Sequence, residues 1–285
     1  MNWKAATRQA HTQALAAHAL APIDTDIRLI EDAGLTYLVR LVHGLKQKPR
    51  SAFQGSSKDP FAPPYDPDLW VGELAPAHAG LLNKFPVLDP HLLLVTTDDK
   101  PQTHLLGQQD CQALLRVLHD WDGLAFYNGG PEAGASQPHK HLQVVDLPLA
   151  NTGPALPVAD ALARDLPASG IGRSMALPFP HAATRLSPEI WATPAKGAAL
   201  LHARYHELLE AVGLASAGPE QAGAYNLLAT REWLWLVPRQ QAAYRGIEIN
   251  ALGFAGALLV TDAEHLERLE SIGPARCLRE ACPTG

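Results

Sequence analysis

The segment 139-HKHLQVVDL-147 decides how this chain is read, because it sets His139, His141 and Gln143 at alternate positions. Nothing in it breaks extended backbone, and Val144–Val145 favour a strand. Side chains alternate faces along a strand, so two imidazoles and an amide form one row, while Lys140, Leu142 and Val144 point the other way. On a helix, residues two apart do not face one another.

Working outward, 126-FYNGGPEAGASQP-138 is a strand running into a glycine-rich turn. Before it, Cys111, Leu114, Leu115, Leu118 and Trp121 keep helical spacing from Gln109 and stop near Gly123. LLNKFPVL (81–88) and HLLLVTT (91–97) form an extended pair. This order of strands, helix and turn puts the row at the edge of a sheet. Residues 2–20 are expected to be a helix and 36–42 a strand. Residues 43–69 carry Pro49, Pro60, Pro63, Pro64 and Pro67 and are expected to be a long loop. Downstream, 147–196 shows no period. Leu201, Tyr205, Leu208 and Val212 give a helix over 197–212. AYNLLAT and EWLWLVPR make a hairpin, and INALGFAGALLVTD a strand before a last helix at 263–271.

At 285 residues, 47% hydrophobic and 18% charged, the chain has the composition of a folded globular protein. Its net charge of −6 argues against a nucleic-acid polymer as partner. Cys111, Cys277 and Cys282 form no C-x-x-C pair, which suits a reducing, cytoplasmic setting. No run approaches a membrane span, so no membrane partner is expected. Neither a G-x-G-x-x-G opening a helix nor a G-x-x-x-x-G-K-[ST] loop is present, so a phosphate would be held by other means.

Three readings of the row stand side by side. The histidines are ordinary sheet residues; or His139 and His141 ligate a metal, with a third ligand such as His78 or His181 brought from afar. Gln143 is a weak ligand, and Asp146 falls on the opposite face. The third reading is nucleophilic catalysis at phosphorus, where a neutral imidazole both attacks and leaves well. That chemistry needs an acceptor to fix the tautomer and donors for the growing negative charge. Gln143 offers an NH₂, and the glycine-rich turn offers backbone N–H groups.

These residues resemble the histidine-triad superfamily, and within it the diadenosine tetraphosphate phosphorylases (ATP adenylyltransferases), relatives of galactose-1-phosphate uridylyltransferase. That branch carries glutamine in the third place, as His139–Lys140–His141–Leu142–Gln143 does. The likeness extends in order through DPFAPPYDPDLWVGEL (59–74), LLNKF (81–85), HLLLVT (91–96), FYNGGPEAGASQPHKHLQ (126–143), AYNLLATREWLWLVPR (224–239) and INALGFAG (249–256). One departure is TTDDKPQTH (96–104), which is less basic than a polyphosphate grip would suggest.

The resemblance implies an α+β fold of histidine-triad type, a mainly antiparallel sheet with packed helices. It implies a nucleotidyltransferase region over 1–185 and a C-terminal region over 186–285 packed on the same core. It makes His141 the nucleophile, Gln143 a ligand of the α-phosphate and His139 a carbonyl acceptor for the His141 Nδ1–H. Substrate contacts are expected from Lys48 (or Lys46), Asn83, Lys84, Asn128, Ser136, Gln137, Asn226, Thr230, Trp233 and Arg239. The implied reaction is reversible phosphorolysis of diadenosine tetraphosphate to ADP and ATP, with hydrolysis or uridylyl transfer on the same fold as the alternative. The partners are then nucleotides and phosphate, with magnesium carried by the nucleotide rather than held in a protein metal site. The chain is expected to act as a monomer or weak dimer.

Overall fold

The computed structural model describes residues 1–43, 59–74 and 76–284. Strands β3 (Trp70–Leu74), β4 (His78–Leu82), β5 (His91–Thr96), β6 (Gly123–Gly129), β7 (His141–Asp146), β8 (Ile171–Gly172), β9 (Ala182–Arg185), β10 (Tyr225–Ala229) and β11 (Trp233–Pro238) build one antiparallel sheet. Its order is β3-β4-β5-β7-β6-β10-β11-β9-β8. The row-bearing strand β7 therefore lies inside the sheet, between β5 and β6, and not at an edge as the sequence suggested. The reason is that β5, from well upstream, pairs with β7 on one side while β6 pairs with it on the other; the hairpin β10–β11 then carries the sheet onward. It adds to β6 on one side, while β3–β5 extend the sheet on the other. Strands from both sides of residue 185 thus share one sheet.

Strands β6, β10 and β11 are buried at every position, which fits a sheet covered on both faces. One face packs on helices α1 (Trp3–Ala16), α2 (Gln108–Asp120) and α4 (Pro194–Ala211), the helix α3 (Ala159–Asp165) lying elsewhere. Its core joins Leu92, Leu94, Leu142 and Val144 of the strands to Cys111, Leu114, Leu118, Leu201 and Tyr205 of α2 and α4. Burying such side chains contributes roughly 1.5–3 kcal/mol each before entropy is counted.

The opposite face carries His141 and Gln143. On one flank, Phe61, Tyr65 and Trp70 pack on Ala79, Leu81, Leu93 and Val95. On the other flank sits a second core, formed with a small sheet of β1 (Thr25–Asp32), β2 (Leu35–Val42) and β14 (Ala257–Val260). Helices α3, α5 (Ala251–Phe254), α6 (Ala263–Ile272) and α7 (Pro274–Glu280) contribute to that core. The short pair β12 (Ala243–Tyr244) and β13 (Ile247–Glu248) lies beside it. No helix among the described residues is long and apolar enough to cross a membrane.

Several local expectations change. The first helix ends at Ala16, where His18 turns to φ 56°. INALGFAGALLVTD is not one strand: the Asn250 side chain accepts from Leu252 N–H and caps the turn α5, and Gly256 at φ 94° redirects the chain into β14. Strand β1 joins β2 through Ala33–Gly34, both at positive φ, which is a tight hairpin turn.

Candidate active site

The ladder between β6 and β7 stops at Phe126↔Gln143, and beyond it the two strands part around the Gln102 side chain. Gln102 Oε1 accepts the His141 N–H at 2.8 Å, and its Nε2 donates to the carbonyls of Asn128 at 2.9 Å and His141 at 3.2 Å. A buried side chain thus replaces the missing backbone pairs and satisfies groups that would otherwise be left without partners. Its own carbonyl accepts from the Tyr127 hydroxyl. Below it, on the helical face, Lys140 Nζ donates to Asp110 Oδ2 and Leu105 O, both at 2.7 Å. Asp110 also takes His78 Nε2 at 2.8 Å and the Gly107 N–H at 2.7 Å. Burial pushes the Asp110 carboxyl up, but the hydrogen bond from His78 and the Lys140 ammonium outweigh it and hold the group down at about 2. The strand is therefore clamped from both faces on either side of His141.

His141 Nδ1 donates to the His139 carbonyl at 2.8 Å, the acceptor the row was expected to supply. That bond fixes the tautomer and leaves Nε2 with its lone pair and no hydrogen-bond partner among the described residues. The ring is buried, with Phe61 tilted over it at 4.9 Å between centroids. Burial pulls its pKa down to about 4, so the imidazole is neutral at pH 7. The arrangement is that of a ready nucleophile.

Gln143 Oε1 lies 2.9 Å from Nε2 of His91, which leaves the Gln143 NH₂ for another partner. His91 Nδ1 in turn meets Asn83 Nδ2 at 3.2 Å, and Asn83 Oδ1 accepts the Phe85 N–H. Both ends of the Asn83 amide are thus engaged with protein. Lys84, beside it, is exposed and pairs with no carboxylate among the described residues.

The glycine-rich turn is built for close approach. Gly130 and Gly134 sit at φ 95° and 88°, and a Cβ on Gly134 would come within 2.8 Å of Ile249 O. Ala133 O accepts from Asn226 Nδ2 at 2.9 Å and Arg239 Nη1 at 3.2 Å, which pins the turn from behind. The N–H groups and side chains of Ser136 and Gln137 have no protein partner among the described residues, and Ser136 is exposed. Asn128 Oδ1 accepts from Asn226 Nδ2 and from Ala251 N–H, with its own NH₂ left over.

Four of the expected substrate contacts are employed elsewhere. Arg239 is 5% exposed and spends its donors on Ala133, Gln241, Ile249 and Ala281 carbonyls and on Asn226 Oδ1. Desolvation lowers its pKa to about 10, and it stays cationic with no carboxylate paired to it among the described residues. It is a brace for the turn and not an exposed clamp. Asn226, wholly buried, belongs to the same brace. Thr230 ends the opposite end of β10, its hydroxyl accepting from the Glu232 and Trp233 N–H groups. Trp233 shares a face with Trp235, but both lie in the apolar core. Their strand is three neighbours from β7, about 14 Å by ordinary sheet spacing. Lys48 and Lys46 lie outside the described residues.

Neither distant metal ligand joins the row. His78 serves Asp110 on the helical face, and His181 spends both nitrogens on Ser174 N–H and Phe179 O. Asp59, Asp99 and His139 come together, yet His139 Nδ1 is taken by Asp59 and its Nε2 by the Thr96 carbonyl at 2.7 Å. His91 and Gln102 are the site residues the sequence did not single out. His91 reads as the start of an apolar strand, and Gln102 lies in the stretch marked only for being less basic than expected.

Known proteins match this chain in sequence and in fold. Residues 2–164 match the Ap4A phosphorylase N-terminal domain and residues 175–284 the ATP adenylyltransferase C-terminal domain. The chain is 31% identical over 270 residues to diadenosine 5',5'''-P1,P4-tetraphosphate phosphorylase 2 of Saccharomyces cerevisiae, covering 82% of this chain and 78% of that protein. The crystal structure of yeast Ap4A phosphorylase Apa2 superposes with a TM-score of 0.79 at 28% identity, covering 99% of this chain and 94% of that one. Its complex with Ap4A superposes at 0.78 and 26% identity, covering 99% of this chain and 97% of that one. The chain is an enzyme of the nucleotidyltransferase type and belongs to the Ap4A phosphorylase family.

Proposed function

We propose that this enzyme cleaves diadenosine tetraphosphate by adenylyl transfer through His141. The carrying observation is the 2.8 Å bond from His141 Nδ1–H to the His139 carbonyl, which leaves Nε2 as the free base. Nε2 attacks the α-phosphorus, forming a P–N bond as the P–O bond to ATP breaks and its electron pair leaves with ATP. The Nδ1–H bond to a carbonyl strengthens as the ring gains positive charge. The Gln143 NH₂ and the N–H groups of Ser136 and Gln137 are the donors for the non-bridging oxygens. In the second step an oxygen of inorganic phosphate attacks the same phosphorus. The P–N bond breaks, the imidazole recovers its electron pair, and ADP is released.

The P–N bond keeps the energy of the anhydride, so the sequence runs in both directions. A buried ring covered by Phe61 disfavours water as the second nucleophile. Magnesium travels with the polyphosphate: Asp99 is exposed and Asp59 is engaged by His139, which is a poor start for a protein-held octahedral site. Three buried free thiols suit a cytoplasmic enzyme. Product analysis with and without inorganic phosphate is the test. ATP plus ADP, formed only when phosphate is present, is expected; ATP plus AMP at an equal rate without phosphate would make the enzyme a hydrolase.

A further inference from the structure

We infer that Asn83 and His91 form a relay that sets which end of the Gln143 amide faces the reacting phosphate. The relay begins at a group whose polarity cannot change, the backbone N–H of Phe85. It donates to Asn83 Oδ1 at 3.1 Å, which forces Asn83 Nδ2 toward His91. Nδ2 donates to His91 Nδ1 at 3.2 Å, so the ring proton sits on Nε2. Nε2–H then donates to Gln143 Oε1 at 2.9 Å, and the Gln143 NH₂ is the end left for a ligand. Each link has only one compatible orientation once the first is set.

The consequence for chemistry is specific. An amide turned around would present its oxygen to an anionic phosphate, exchanging a donor for a repulsive acceptor. Gln143 alone has no preference that would prevent this, since its two ends are nearly the same shape. His91 supplies the preference. The groups facing its ring are Asn83 on the β4–β5 connection, Gln143 and His141 on β7, and Phe126 on β6. His141 is the titratable one among them whose charge bears on it. His91 is buried and its pKa is drawn down to about 4, so the neutral, single-proton form the relay requires is the one present at pH 7. Asn83 and His91 are positioning residues acting through Gln143, and their role rests on the reading of His141 as the nucleophile at phosphorus.

The decisive variant is Asn83→Asp, which keeps size and the acceptor for Phe85 N–H but removes the donor. A carboxylate there draws the ring proton to Nδ1 and leaves Nε2 bare against Gln143 Oε1, so the amide turns over. At pH 8 kcat is expected to fall about 100-fold, the scale of losing one transition-state donor, with KM changed little. Acidification puts a second proton on His91, restores Nε2–H and recovers activity, a response opposite in sign to that of the wild type. Asn83→Ala, which removes the donor without demanding the other tautomer, is expected to lose less and to show no recovery in acid.

Long-range proton–nitrogen correlation spectra of the ¹⁵N-histidine-labelled whole protein give a readout independent of turnover. Wild-type His91 is expected as the Nε2–H tautomer and Asn83→Asp as Nδ1–H at high pH. An Nδ1–H wild-type ring, or Asn83→Asp and Asn83→Ala with the same kcat and the same pH profile, overturns the relay. Retained turnover in His141→Ala would instead overturn the nucleophile assignment and leave the tautomer result standing.

Discussion

Acid should weaken the folded state through His91 and His141 before it removes the nucleophile. Burial draws both rings to about 4 from an ordinary 6.5. In the unfolded chain both titrate at the ordinary value. Above pH 6.5 the rings are neutral in either state and add no pH dependence. Between 6.5 and 4 the unfolded chain binds protons that the folded protein refuses, so stability falls as pH falls, and the loss levels off below the folded value. A gap of about 2.5 pH units at 1.36 kcal/mol each makes the full loss about 3 kcal/mol per ring. Urea unfolding at pH 7 and about pH 4.5, on the wild type and on His91→Phe, isolates one ring. The variant's stability should drop between the two pH values by roughly 2–3 kcal/mol less than the wild type's, whatever its stability at pH 7. Equal drops would refute the assignment of a buried neutral His91. The acid limb of wild-type kcat/KM should likewise lie well below 6.5; a limb centred near 6.5 would mean that His141 titrates as an exposed ring.

Other perturbations test the supports of the site. Lys140→Met leaves Asp110 in the buried cluster without its ammonium partner and should cost about 3–5 kcal/mol in chemical denaturation, much of it regained in the double variant with Asp110→Leu. Arg239→Met strands the Asn226 Oδ1 and Ile249 carbonyl acceptors, each unpaired group costing about 1–3 kcal/mol, and should raise KM for the dinucleotide by loosening the glycine turn, which would keep only Asn226 on Ala133 O. Arg239→Lys should not rescue it, since one ammonium cannot reach acceptors spread over five residues. Trp233→Phe should leave KM within about twofold, because a stacking platform would forfeit about 1–3 kcal/mol per base and this ring lies in the core.

The row itself was legible because its period of two holds through HLQVVD, although the strand opens only at His141 and His139 sits just before it on a bridge to Pro101; the helices α2 and α4 were legible because their buried positions keep helical spacing. Its place in the sheet was not. Strand β5 lies about fifty residues before its partner β7 and β10 about a hundred after β6, and nothing local announces such pairings. Side-chain roles failed for a related reason. Arg239 and Asn226 carry the groups a phosphate would want, but the fold turns those groups inward, where both satisfy the Ala133 carbonyl of the glycine turn. His91 went unmarked because a histidine opening an apolar strand carries no signal until Gln143 is placed 2.9 Å from it. Residues 147–196 gave no period because α3, β8 and β9 are only seven, two and four residues long.

The central claim is a covalent adenylyl group on His141, and trapping it is the most direct test. The enzyme is mixed with diadenosine tetraphosphate labelled at the α-phosphate, without inorganic phosphate, and then analysed by peptide mass spectrometry. The wild type should carry one AMP, stable to base and labile to acid, on the peptide containing His141, and phosphate should discharge it as ADP. His141→Ala should carry none. Label on another residue, or normal turnover by His141→Ala, would contradict the account.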